Sequence, residues 1–244
     1  LFAEILGVQP ENVIAGGNSS LDMMFDTVAQ ACSKGICGGR PWCGEKVKFL
    51  CPAPGYDRHF GITEYFGIEM INIPIGADGP DMDIVERYVE NDASVKGIWC
   101  VPKYSNPTGI TYSDETVRRF ARLKPKADDF RIFWDNSYVL HDISNTPDTL
   151  LNLYDEAEKC GNADIVFLFT STSKITFPGA GVACVAASPK NVEWLLSRIQ
   201  YQTIGPDKLN QLRHLRMLPD LEAVRAQMAR HRAIIQPKFE MVLS

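Results

Sequence analysis

The sequence predicts an α/β fold, a three-layer α/β/α arrangement around a mostly parallel seven-stranded sheet, and three observations carry that prediction. Short runs rich in β-branched and aromatic residues alternate with longer stretches of helical periodicity through most of the chain. The remainder, from Pro189 onward, holds helical spacing only. Unusual polar residues gather directly after the predicted strands, where an open parallel sheet has its ligand crevice.

Taken in order, LFAEILGVQPENV reads as a helix already under way, and residues 12–15 as the first strand. GGNSS then enters a helix over 20–33, with asparagine and serine where N-caps belong. Further strands fall at 47–51, 69–73, 97–101, 131–134, 165–169 and 181–186. Helices at 57–65, 82–90, 114–123 and 148–160 fill the gaps between strands, which is the spacing of βαβ units. Near the end, Leu221, Val224, Met228, Ile235, Phe239 and Val242 mark a last helix over about 219–244. No internal repeat, low-complexity tract or flexible linker interrupts the chain, so residues 1–244 read as one domain.

Composition excludes several classes. Hydrophobic residues make up 45% and charged residues 23% of the 244, ordinary values for a folded chain. A net charge of -5 and a pI near 5.4 argue against a phosphate-backbone binder. No apolar run reaches the ~18 residues that cross a bilayer, and no basic, apolar leader is present, so neither nucleic acid nor membrane is an expected partner. Seven cysteines in mixed contexts fit reduced thiols in a cytoplasmic protein. Only Cys32, Cys37 and Cys43 cluster; their spacing is not that of a metal site, and they read as inert. The chain starts without Met and ends inside an amphipathic pattern, as a piece of a longer protein would.

The chemistry lies in the loops after strands. After residues 12–15, Gly17, Asn18 and Ser19 stand at a helix start, where free N–H groups and the positive dipole end seat an anion; an ordinary N-cap has the same letters. In KYSNPTG, Asn106 precedes Pro107 and projects a fixed amide donor, though Asn-Pro turns are common. In WDNSYVLHD, Asp135 leaves an apolar strand, where a carboxylate needs a cation or donors, and Tyr138 follows; a turn-capping Asp is the alternative. In FLFTSTSKITFPGAG, the Ser171 and Ser173 hydroxyls can join the anion seat, and Lys174 is either solvated or aimed into the crevice.

No GxxxxGK[ST] motif and no GxGxxG after a strand is present, which removes the common nucleotide readings. Pyridoxal 5'-phosphate meets every demand of these loops. Its phosphate suits the helix N-terminus, its phenolic oxygen the asparagine and tyrosine, its ring nitrogen the carboxylate, and its aldehyde the lysine.

The ordered motifs GNSS, PGY, NPTG, DNSY and STSK resemble the fold-type I, class I pyridoxal-phosphate aminotransferases over nearly the whole chain. The wording GGNSSLDMMF, PGYDRHF and TSTSKITFPGAG is most similar to the type Ic aspartate aminotransferases, a MocR-like subgroup. The resemblance implies that Lys174 forms the internal aldimine and that Asp135 pairs with the pyridinium nitrogen. It implies Tyr56 stacked on the ring, Asn106 and Tyr138 on the phenolic oxygen, and Gly17, Asn18, Ser19, Ser171 and Ser173 around the phosphate. It further implies a homodimer reached through the loop 203–208, and a large, cofactor-binding domain whose last helix leads to a small domain. Transamination of an amino acid, aspartate in the subgroup, with a 2-oxo acid such as 2-oxoglutarate is the implied reaction. A cofactor-sensing effector domain of a MocR-type transcription regulator, or a lyase or decarboxylase on the same fold, would share these motifs. One departure stands out: where many members carry a phosphate-binding arginine, this chain has Gly181 and Val182.

Overall fold

The computed structural model describes residues 1–144 and 146–243. Strands β1 (Val13–Ala15), β2 (Lys48–Ala53), β3 (Glu69–Gly76), β4 (Gly79–Pro80), β5 (Val95–Cys100), β6 (Arg131–Asp135), β7 (Val166–Ser171) and β8 (Ala183–Ala187) form one eight-stranded sheet in the order β1-β8-β7-β6-β5-β2-β3-β4. The pairs β2–β3, β2–β5, β5–β6 and β6–β7 are parallel. Strand β8 runs against both of its neighbours, β1 and β7, and β4 runs against β3. The expected seven strands are therefore eight. The addition, β4, spans two residues at the end of β3 and is too short to carry any periodicity.

Helices α1 (Phe2–Leu6), α2 (Ser20–Lys34), α3 (Asp57–Tyr65), α4 (Met82–Asn91), α5 (Asp114–Ala121), α6 (Leu153–Lys159), α7 (Pro189–Gln202), α8 (Lys208–Met217) and α9 (Leu221–Leu243) accompany the sheet, with short 3-10 turns at Pro10–Asn12 and Ala163–Ile165. Successive strand residues point to opposite faces, and both faces are apolar. Leu50, Ile98, Trp134 and Leu168 pack with α1, α4, α5 and α6 on one side. Phe49, Trp99, Phe133 and Phe167 pack with α2, α3 and α7 on the other. This is why the central strands read as nearly continuous hydrophobic runs, and it confirms the three layers. Between Phe49 and its neighbour on β5 there is no room for a side chain: a Cβ on Gly97 would stand 2.3 Å from the Phe49 ring.

Side-chain caps fix where helices begin. Ser19, Asp81, Ser113, Ser188 and Asp207 each accept a backbone N–H at the first turn of α2, α4, α5, α7 and α8. One cap corrects the sequence reading of a helix over 148–160. Asn152 accepts from Tyr154 N (2.9 Å) and Asp155 N (3.3 Å), so α6 starts only at Leu153. Leu150 and Leu151, apolar like the helix, pack on the same core from extended chain. The last expected helix corresponds to α9; its final expected residue, Ser244, lies outside the described residues.

Candidate active site

The sheet order brings together loops far apart in sequence. Strands β1 and β7 both flank β8, so the GGNSS loop meets the turn that carries Lys174. Ser173 Oγ donates to Asn18 O (3.0 Å), and Asn18 Nδ2 donates to Gly179 O (2.6 Å). Ala183 N donates to Gly17 O (2.8 Å), and Ser173 N to Ser171 Oγ (3.4 Å). These bonds bring Gly17, Asn18, Ser19, Ser171 and Ser173 together at the N-terminus of α2, with Ser19 also capping that helix through Asp22 N (3.4 Å).

Asp135 is the last residue of β6, one position earlier than a loop residue would be, and is 5% exposed. Its Oδ2 lies 3.0 Å from His59 Nε2, and its Oδ1 accepts from Ser137 Oγ at 2.6 Å. Burial alone would raise its pKa. The hydrogen bond and charge of His59, the Ser137 hydroxyl and the Lys174 ammonium outweigh burial and hold the carboxyl below its usual value. His59 is itself fixed: it stacks on Trp99 (4.8 Å, 16°) and meets Tyr56 edge-on (5.0 Å, 83°). Trp99 Nε1 donates to Thr63 Oγ1 (2.8 Å), one turn further along α3. Tyr56 is the N-cap residue of α3 and packs on His59, the residue between it and the carboxylate.

Lys174 follows β7 on a single tight turn, with Ile175 N and Thr176 N donating to Thr172 O (2.9 and 2.8 Å). Its Nζ sits 4.0 Å from the centroid of the Tyr138 ring. His141 joins both partners: its Nε2 lies 3.2 Å from Lys174 O, and its ring meets Tyr138 edge-on at 5.6 Å. Burial, the largest cause, pushes the His141 pKa down to about 4. The ring is neutral at physiological pH, so Nε2–H donates to the lysine carbonyl. Tyr138 and His141 line an open cleft of about 740 Å³ with Asn106, Tyr104 and, from α9, Gln236 and Phe239. Behind it, the buried Lys103 ammonium pins the same loop, donating to Asp142 Oδ1 (2.7 Å) and Val139 O (3.1 Å).

The missing arginine has a steric explanation. A Cβ on Gly181 would stand 2.9 Å from both the backbone nitrogen and Oγ of Ser173, so no side chain fits there. Val182 is buried and its N–H is committed to Thr172 Oγ1 (2.8 Å). Asn210 of α8 closes the loop from outside, donating to Ala180 O (3.1 Å) and Gly181 O (2.9 Å).

Sequence reasoning did not single out His59, Trp99, Ser137, His141 or Asn210. His59 and Ser137 lie inside the quoted motifs, and a rule that a buried carboxylate needs two donors would have pointed to them. Among the described residues no group of His, Cys, Asp or Glu could hold a metal ion. The donor set instead fits pyridoxal phosphate. It offers a carboxylate kept ionised in a buried site, a lysine whose charge acts on it, and hydroxyls gathered at a helix N-terminus.

The sequence profile of the family described as aspartate amino-transferase matches residues 1–244. A Mycolicibacterium smegmatis protein carried under a provisional aminotransferase name is 51% identical over 244 residues, covering 99% of this chain and 57% of the relative. An aspartate aminotransferase of Corynebacterium glutamicum is 45% identical, covering 100% of this chain and 56% of the relative. The crystal structure of an aspartate transaminase from C. glutamicum superposes with a TM-score of 0.95 at 45% identity, over 99% of this chain and 57% of that one. The chain therefore spans a little more than half the length of the relatives it matches.

Proposed function

The chain belongs to the aspartate aminotransferase family of pyridoxal-phosphate-dependent class I enzymes, and from that premise we propose that the whole protein transfers the amino group of an amino acid, aspartate in the first instance, to a 2-oxo acid such as 2-oxoglutarate. The observation that carries the reading is the placing of the Lys174 amine 4.0 Å over the Tyr138 ring, close enough to Asp135 to lower its pKa. When bound, the cofactor supplies an aldehyde for amino-group exchange and a protonated ring that withdraws electrons from the substrate's Cα.

The residues of this chain do the rest. Lys174 would hold the cofactor's aldehyde carbon, and its Nζ is the group that would take and return the proton of the substrate's Cα. Asp135, ionised and aimed by His59 and Ser137, would keep the ring nitrogen protonated. Tyr56 would pack on the cofactor ring, and Asn106 and Tyr138 would donate to its phenolic oxygen. Gly17, Asn18, Ser19, Ser171 and Ser173 would hold the phosphate, since the packing at Gly181 leaves no room there for a side chain.

Residues 1–244 are read as the large domain, with α9 leading toward a small domain. Tyr201, Ile204, Leu209 and Leu212 leave apolar surface exposed from the end of α7 into α8, which supports a homodimer in the whole protein. No described helix is long and apolar enough to cross a membrane, and a cytoplasmic location is proposed with the enzyme. The aminotransferase names of the relatives support an enzyme over a regulator's effector domain. A panel of amino donors assayed with 2-oxoglutarate on the full-length protein tests the reading. Aspartate is expected to lead, and turnover of every other donor but not aspartate would refute the substrate.

A further inference from the structure

The three clustered cysteines, inert thiols on the sequence reading, are separated by the fold into two environments. Cys37 Sγ faces Asn191 Oδ1 (3.4 Å) and the Arg131 guanidinium (Nη2, 3.7 Å). Cys32 is buried in the last turn of α2, and Cys43 is exposed beside it. Cys43 N donates to Cys32 O (3.0 Å), next to Trp42 N donating to Ala31 O (3.1 Å). These bonds fold the chain after α2 back onto the helix end. Trp42 anchors the fold-back: it is 3% exposed, and its Nε1 donates to Asp129 Oδ2 (2.8 Å), while Lys96 holds Oδ1 of the same carboxylate.

With Cys43 N and Cys32 O 3.0 Å apart, backbone bond lengths keep the two Cα atoms within about 7 Å, close to the ~4.4–6.8 Å that a disulfide spans. The side chains are neighbours as well: after burial, Cys43 is the further cause that pushes the Cys32 pKa up to about 12. We propose that Cys32 and Cys43 form a two-thiol modification site that reacts with low-molecular-weight disulfides and closes to an intramolecular disulfide.

The exposed Cys43 thiolate attacks one sulfur of the small disulfide, forming a mixed disulfide and releasing one small thiol. Cys32 then loses its proton to solvent and attacks Cys43 Sγ, releasing the second small thiol and forming the Cys32–Cys43 bond. Two protein thiols are oxidised and one disulfide is reduced to two thiols, so no other oxidant is needed. The buried Cys32 thiol must ionise to attack, which makes closure the slow step at neutral pH. Cys32 lies near the C-terminal end of the fifteen-residue α2, about 18 Å along the axis from its N-terminus at Ser20, so this pair stands apart from the proposed active site.

The test treats the reduced full-length protein with oxidised glutathione and maps disulfides by tryptic mass spectrometry, cleavage after Lys34 parting the two cysteines. A Cys32–Cys43 cross-link is expected, retained in Cys37→Ser and lost in Cys43→Ser, while Cys32→Ser keeps glutathione on Cys43. Closure is expected to speed up about tenfold per pH unit between about pH 7 and pH 9. A cross-link that survives in Cys43→Ser, adducts that never close at any pH, or a closure rate indifferent to pH would overturn the proposal.

Discussion

Replacing His59 with phenylalanine isolates the partner of the buried carboxylate, because the new ring keeps the volume and the stack on Trp99 while removing the donor 3.0 Å from Asp135 Oδ2. Removing one partner of a buried, hydrogen-bonded pair costs about 3–5 kcal/mol, since the remaining charge stays desolvated. The pH dependence gives the sign. In the parent protein Asp135 titrates below its usual value, so it contributes stability at pH above the ordinary carboxylate range, lost as pH falls through the folded-state pKa. In His59→Phe, burial, already the largest single cause, is opposed only by Ser137 and Lys174, and the pKa is expected to rise. Stability then falls as pH rises, and the gap between the two proteins widens from acid to neutral. Urea unfolding of both full-length proteins at about pH 5 and about pH 8 measures this. A gap under about 1 kcal/mol at the higher pH, or one that does not change with pH, would refute the coupling of His59 to Asp135.

Two further substitutions test close backbone approaches. Gly97→Ala places a Cβ 2.3 Å from the Phe49 ring and is expected to destabilise by about 1–3 kcal/mol in urea unfolding, with Gly97→Ser no better. Gly181→Ala drives a Cβ into the Ser173 backbone at 2.9 Å and is expected to weaken retention of pyridoxal phosphate about tenfold in a fluorescence titration, because Ser173 can no longer hold the Asn18 carbonyl. Ser137→Ala removes the 2.6 Å hydrogen bond to a buried carboxylate and is expected to cost about 1–3 kcal/mol at neutral pH, measured by the same urea unfolding.

Periodicity carried most of the layer structure, because strands buried on both faces and helices buried on one write different patterns. Helix α3 has the expected bounds, and Asp135 was visible as an acid leaving an apolar strand. The end of helix 148–160 was legible, but its start was not: Leu150 and Leu151 are apolar whether helical or extended, and the cap at Asn152 decides. Strand order, and with it the meeting of Asn18 with Ser173, is a property of pairing between distant segments and leaves no local trace. His59 reads like any histidine on an amphipathic helix until Asp135 and Trp99 are placed around it. The same holds for Cys32 and Cys43, neighbours only because Trp42 folds the loop back.

The central claim, that Lys174 is the amine that holds the cofactor, is tested most directly by borohydride reduction of the full-length protein loaded with pyridoxal phosphate, followed by peptide mapping. The phosphopyridoxyl group is expected on Lys174, with none fixed in Lys174→Ala. A label on another lysine of the parent protein, with Lys174 unmodified, would contradict it.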